Sequence, residues 1–247
     1  MRIPKVITLI LFFTLHSTLF TQAQKVSVLG DSYSTFEGCM SNDTNAIWYF
    51  TPESPYRNKN NDVTKVEETW WRQLISNKGY SLEVNNSYSG ATICYSGYKK
   101  GNEPRVPIAG LQDYRDYSNR SFVNRTNTLG NPDIILICGG TNDSWAGSPI
   151  GDYVYGNWTT EQFYYFRPAM AKMLYDLRGN YPTARLLFIL NSELRESINE
   201  SVHTICKHYD VECLDLKDIE KQAGHPSVKG MTAFAQQVAK ALDKKKK

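Results

Sequence analysis

The chain has 247 residues and 28 basic against 25 acidic side chains, a balance of 26 to 25 without Arg2 and Lys5 and 22 to 25 once Lys244 to Lys247 are also set aside. A body this close to neutral lacks the basic face that nucleic-acid binding demands, so no nucleic-acid partner is expected. The length suits one α/β domain, and neither an internal repeat nor a linker divides it.

Arg2 and Lys5 precede an apolar stretch from Val6 to Phe20 and then Thr21-Gln22-Ala23, the charged, hydrophobic and small-residue order of a signal peptide. Residues 1–23 are therefore read as a removed export segment, directing the chain to the periplasm or the exterior. His16 and Ser17 interrupt the run, whereas a spanning helix needs about 20 predominantly apolar residues, so no stable membrane insertion is expected. Residues 24–243 form the expected domain, and the Lys244–Lys247 tail is read as disordered.

Strand-like segments then recur at 26–29, 82–85, 133–138, 185–190 and 211–214. They are short apolar runs rather than strict alternations, as strands covered on both faces should be. Their interleaving with helical stretches predicts a three-layer α/β/α sandwich around a mostly parallel five-stranded sheet. Thr159 and Gln162 have capping-box spacing. Pro168 falls too deep for an unbroken helix from that cap, so a short turn followed by a helix from about 168 to 178 is predicted. Val228, Met231, Ala235, Val238 and Leu242 recur at helical spacing and define a last helix. Two long polar connections, 37–66 and 94–130, are assigned to substrate recognition.

Chemistry-bearing residues cluster in four blocks: Gly30-Asp31-Ser32, Asn85 to Gly90, Gly140-Thr141-Asn142-Asp143 and His225-Pro226. The first directly follows the run Val26 to Leu29, placing Ser32 where a strand ends, the position at which α/β sheets carry their sites. Of the other histidines, His16 leaves with the signal peptide, and His203 and His208 read as ordinary helix residues. That leaves His225 as the base that a serine hydroxyl needs. The N-terminus of the last helix is expected to keep its imidazole neutral.

In order and content these blocks resemble the GDSL or SGNH family of serine hydrolases, over nearly the whole chain after residue 23. No Gly-x-Ser-x-Gly elbow surrounds Ser32, which separates it from the α/β-hydrolases. The resemblance implies a flavodoxin-like SGNH hydrolase fold and a serine esterase with Ser32 and His225 catalytic. It also implies an oxyanion hole of the Ser32 and Gly90 amides and the Asn142 side chain. Asp31 and Asp143 are read as structural, bonding loop amides, and Ser34, Ser87 and Ser89 as turn formers.

One position departs from the family. Three residues before His225, where an aspartate is usual, stands Gln222. Gln222 is a candidate for orienting His225; Asp218, Glu220 or a backbone carbonyl are the alternatives. No cofactor is expected and no metal, since His203, Cys206 and His208 on one helix do not match the usual zinc-ligand spacings. Among the five cysteines, Cys138 reads as core, and Cys39 with Cys94 or Cys206 with Cys213 as conceivable disulfides. Trp48, Tyr49 and Phe50 in the first long loop, and Trp145, Tyr153, Tyr155 and Trp158 after the third block, either stack on sugar rings or fill gaps between loops. The expected substrate is a short acyl group, such as acetyl, on a small molecule or polysaccharide. A lysophospholipase or short-chain lipid esterase, an O-acyltransferase and a non-catalytic carbohydrate-binding protein are the alternatives.

Overall fold

The computed structural model describes residues 22–244. The expected export segment lies almost wholly outside the described residues, as do the last three lysines. In chain order the elements are β1 (Lys25–Gly30), α1 (Trp70–Lys78), β2 (Ser81–Ser87), β3 (Ile134–Cys138), α2 (Thr141–Ala146) and α3 (Phe166–Asn180). There follow β4 (Arg185–Leu190), α4 (Glu196–His208), β5 (Glu212–Asp215), β6 (Lys221–Gln222), β7 (His225–Pro226) and α5 (Val228–Leu242).

Strands β1 to β5 form one sheet in the order β2-β1-β3-β4-β5, every pair parallel. This is the flavodoxin-like strand order, with its switch point between β1 and β3. Because the sheet is covered on both faces, β3 is buried along its entire length, and its sequence Ile-Ile-Leu-Ile-Cys is apolar throughout. On one face Val26, Val28 and Leu136 pack with Trp70, Leu74, Phe234 and Val238 of α1 and α5. The indole of Trp70 stacks on Phe234 with ring centroids 4.4 Å apart. On the other face Leu29, Ile135 and Ile137 meet Met173 and Leu177 of α3 and Val202 and Ile205 of α4.

Two boundaries needed the structure. The capping box at Thr159 closes only a 3₁₀ turn, Thr160–Tyr164, and α3 starts at Phe166, two residues ahead of Pro168. Proline is tolerated there because the amides of a helix's first turn have no intrahelical partner. All five cysteines are free thiols, so neither conceivable disulfide is formed. Among the described residues no helix is long and apolar enough to cross a membrane.

Candidate active site

Register brings the first three blocks together. Gly30, the last residue of β1, pairs with Ser87 on β2 and Cys138 on β3, so the segments that follow all leave the same sheet edge as neighbours. A Cβ at Gly30 would sit 2.5 Å from Ser87 Oγ, which is why the close approach of β1 and β2 requires glycine. The chain then turns at once. Asp31 caps the 3₁₀ turn Ser32–Ser34 through its Oδ1, which accepts from the Tyr33 amide at 3.0 Å.

Ser32 Oγ lies 2.8 Å from His225 Nε2. The other ring nitrogen, Nδ1, faces the Ala223 carbonyl at 3.2 Å. A carbonyl only accepts, so Nδ1 carries the proton and Nε2 is left as the bare acceptor for the Ser32 hydroxyl. The carbonyl thus selects the tautomer a base needs.

Gln222 does not do this, contrary to one of the expectations from sequence. Its Oε1 accepts from the Asp62 amide at 2.9 Å and its Nε2 donates to Asp62 Oδ2 at 3.3 Å. Gln222 pairs with His225 across the antiparallel hairpin of β6 and β7; the tight turn over Ala223 and Gly224, both at positive φ, presents a backbone carbonyl to the ring. Glu220 is also engaged elsewhere, accepting from the Ser227 hydroxyl at 2.7 Å and pairing with Lys229, and Asp218 is exposed.

The first long loop holds this hairpin. Asn61 Nδ2 donates to the carbonyls of Gln222, His225 and Pro226 at 3.2 to 3.4 Å, and Asp62 Oδ1 accepts the first amide of α5 at 2.8 Å. Trp48 of the same loop lies flat on the His225 ring, centroids 3.6 Å apart and planes at 9°. Tyr33, Trp145 and Tyr49 surround the ring at 5.1, 6.0 and 6.2 Å. Only 5% of His225 is exposed. Burial is the main reason its pKa is pushed down to about 4, with the positive charge of Lys221 acting in the same direction and the Ala223 carbonyl opposing. Burial among these rings keeps the imidazole neutral.

The third block completes the cluster. Asn142 is the second residue of α2, and its Nδ2 donates to the Ala91 carbonyl at 3.0 Å, next to Gly90. Gly90 has φ of 80°, a conformation that favours glycine. Tyr98, from the second long loop, donates its hydroxyl to Asn142 Oδ1 at 2.8 Å and so fixes which way the amide points. The second hydrogen of Nδ2 is left for a ligand. Asp143 accepts the amides of Ile93 and Cys94 at 2.8 and 3.2 Å, the loop-bracing role expected of it. Asp31 is fully buried with its Oδ2 unpartnered, and burial raises its pKa to about 7. Of the three other serines, Ser34 accepts from the Trp70 indole, Ser87 donates to Asn85 and lies at the end of β2 rather than in the turn expected for it, and the backbone amide of Ser89 donates to the Ala46 carbonyl.

The aromatic residues divide between the two roles. Trp48 and Trp145 border His225, and Trp145 is 47% exposed. Tyr155 instead stacks on His208, Trp158 packs at a tilt against Tyr175 and Phe50 against Tyr56, while the buried Tyr49 donates to the Pro226 carbonyl. Asn61, Asp62 and Tyr98 went unforeseen, and of the backbone carbonyl considered as an alternative for orienting His225 only the structure shows that it is that of Ala223; these contacts join loops whose paths no local pattern specifies.

A doubly wound parallel sheet that carries a serine paired with a neutral histidine, and the Asn142 amide near them, at the carboxyl ends of its strands has the arrangement of an ester hydrolase. The chain belongs to the GDSL-like lipase/acylhydrolase family, whose model matches residues 24–242, and it is an ester-hydrolysing enzyme. It is similar to a protein from Bacteroides ovatus described as a GDSL-like lipase, with 48% identity over 91% of this chain and 100% of that one and a TM-score of 0.82. A second, from Bacteroides uniformis and described in the same way, is 50% identical over 90% of this chain and 97% of that one, TM-score 0.81. A family two carbohydrate esterase from Clostridium thermocellum shares the fold at 16% identity, over 89% of this chain and 63% of that one, TM-score 0.53. No curated protein matches the chain.

Proposed function

We propose that this enzyme hydrolyses short acyl esters, acetyl foremost, carried on a carbohydrate, through an acyl-enzyme on Ser32. The observation that carries the mechanism is the 2.8 Å contact between Ser32 Oγ and the unprotonated Nε2 of His225. Ser32 Oγ attacks the ester carbonyl carbon while His225 takes the hydroxyl proton. The carbonyl oxygen becomes an oxyanion facing the Ser32 and Gly90 amides and the free hydrogen of Asn142 Nδ2, donors fixed before the charge develops. Collapse expels the alcohol, which receives the proton from His225. Water, deprotonated by the same nitrogen, then releases the carboxylic acid and restores Ser32.

A carboxylate ordinarily steadies the imidazolium that forms in these steps. Here the Ala223 carbonyl accepts its Nδ1–H, and the face of Trp48 offers the negative quadrupole of an indole to the cationic ring. The pair of a carbonyl dipole and an aromatic face does the work of the absent aspartate.

Support for a sugar-borne ester comes from Trp145, a half-exposed indole beside His225 on which a pyranose ring can stack. The description of the Bacteroides relatives as lipases favours a second reading, a lipid ester. Acetate release from acetylated xylo-oligosaccharides, set against fatty-acid release from lysophosphatidylcholine, separates the two. Faster turnover of the sugar ester, lost in Trp145→Ala with KM rising more than kcat falls, is expected; preference for the lysolipid overturns the carbohydrate assignment. Export through residues 1–23 is part of the same proposal, and N-terminal sequencing of the protein produced in its own host, expected to begin at Gln24, tests it.

A further inference from the structure

On the far side of the sheet from β2, helix α4 and the edge strand β5 bring four chemistry-bearing side chains together. His203 and Cys206 are three apart on α4 and so share a helix face. Cys213 and Asp215 are two apart on β5 and so share a strand face. None of the four touches the Ser32 site.

The donor atoms are close. His203 Nε2 is 3.2 Å from Asp215 Oδ1, and the Cys213 thiol is 3.9 Å from the same oxygen. One ligand atom from each of His203, Cys213 and Asp215 falls within 4.8 Å of the other two. Zinc bonds of about 2.0 Å to nitrogen and oxygen and about 2.3 Å to sulfur, at tetrahedral angles, put N···O at about 3.3 Å and S···O at about 3.5 Å. The observed separations need only small rotations of surface side chains to meet those edges.

Outer contacts favour the same geometry. The Cys206 thiol, buried on α4, interacts electrostatically with Cys213 and backs the Cys213 side of the cluster. His203 and Asp215 also line one wall of a polar cleft of about 300 Å³ with Glu193, Glu196 and Asn199, which gives an ion a path in and leaves room for water in a fourth position.

We infer that His203, Cys213 and Asp215 form a binding site for a borderline-soft divalent cation of the zinc class, clamping helix α4 to the edge strand β5. Imidazole, thiolate and carboxylate together match zinc rather than magnesium or calcium, which take oxygen donors. Binding releases the Cys213 proton and leaves the thiolate coordinated. None of its ligands contacts Ser32 or His225, so its role is to hold the sheet edge.

The test is titration of the reduced, metal-free protein with Co²⁺, followed by competition with Zn²⁺. A tetrahedral site with one thiolate gives a near-ultraviolet sulfur-to-cobalt charge-transfer band and intense visible ligand-field bands, both removed by zinc. His203→Ala, Cys213→Ser and Asp215→Asn should each weaken zinc binding by more than about tenfold, since even partners one shell further out are typically worth ~10–100-fold. Cys206→Ser should retain the bands, and ester hydrolysis should be unchanged throughout. Circular dichroism shows whether each variant is folded, and Cys206→Ser keeps the test decisive if another variant is not. No cobalt spectrum in the wild-type or Cys206→Ser protein, or equal binding by the ligand variants, overturns the site. So does a thiol count two short in protein purified without reductant, the mark of a Cys206–Cys213 disulfide.

Discussion

Replacing Trp48 with leucine removes the aromatic face that covers the His225 ring and keeps much of the apolar volume. The stack is parallel at 3.6 Å and the histidine is 5% exposed, so the desolvated end of the cation–π range applies, about 2 kcal/mol. At about 1.4 kcal/mol per decade of rate, that is roughly a 30-fold fall in kcat. The contact strengthens only when the ring becomes cationic, so the loss belongs to the transition state and KM should stay within about twofold. Trp48→Phe keeps a weaker aromatic face and should fall in between. The assay is steady-state hydrolysis of p-nitrophenyl acetate on the plateau above the acid limb. That limb is expected near the His225 pKa of about 4, below which Nε2 is protonated and cannot accept. If kcat holds in Trp48→Leu while KM rises, the indole is a wall for substrate and the imidazolium is stabilised by something else.

Gln222→Asp should bring no rate gain, kcat staying within about threefold, because residue 222 is held against Asp62 and away from the imidazole; the two carboxylates should instead lower the thermal midpoint, and a large gain in kcat would show that the side chain reaches His225. Tyr98→Phe frees the Asn142 amide to turn, and one lost hydrogen bond of about 1 kcal/mol predicts a roughly fivefold drop in kcat. Asn142→Ala should cost about 100- to 1000-fold in kcat, as for other oxyanion donors. For Asp31 the native carboxyl keeps its proton up to about pH 7 while the unfolded one loses it near 3.8. The native state therefore binds more protons between these values, and this group's contribution to stability is lost as pH rises toward 7. Asp31→Asn should therefore gain on the wild type by roughly 2 kcal/mol between pH 5 and pH 7 in urea unfolding.

Most of the fold was legible because its strands are buried on both faces, which leaves runs such as Ile134 to Cys138 with no polar residue to obscure them. The four blocks were legible for a related reason. Each sits at a strand end or helix start whose backbone geometry demands a particular residue, Gly30 under Ser87 and Gly90 at positive φ being two. The partner of His225 was not legible, since a carbonyl belongs to every residue and only the turn over Ala223 and Gly224 selects one. Nor could the aromatic residues be sorted in advance. Trp48 and Trp158 read alike in the chain, and only the return of the first loop over β7 and the packing of the other along α3 separate their roles. Cys213 and Asp215 were invisible as companions of His203 because the spacing considered was that of one helix, while the cluster crosses to the next strand.

The most direct test of the account compares p-nitrophenyl acetate hydrolysis by the wild type with that of an identically prepared, folded Ser32→Ala variant. Loss of the nucleophile should lower kcat by ~10³-fold or more, leaving only what the oxyanion donors and binding supply. Equal rates in the two proteins would mean that the 2.8 Å pair of Ser32 and His225 is not where the ester is cleaved.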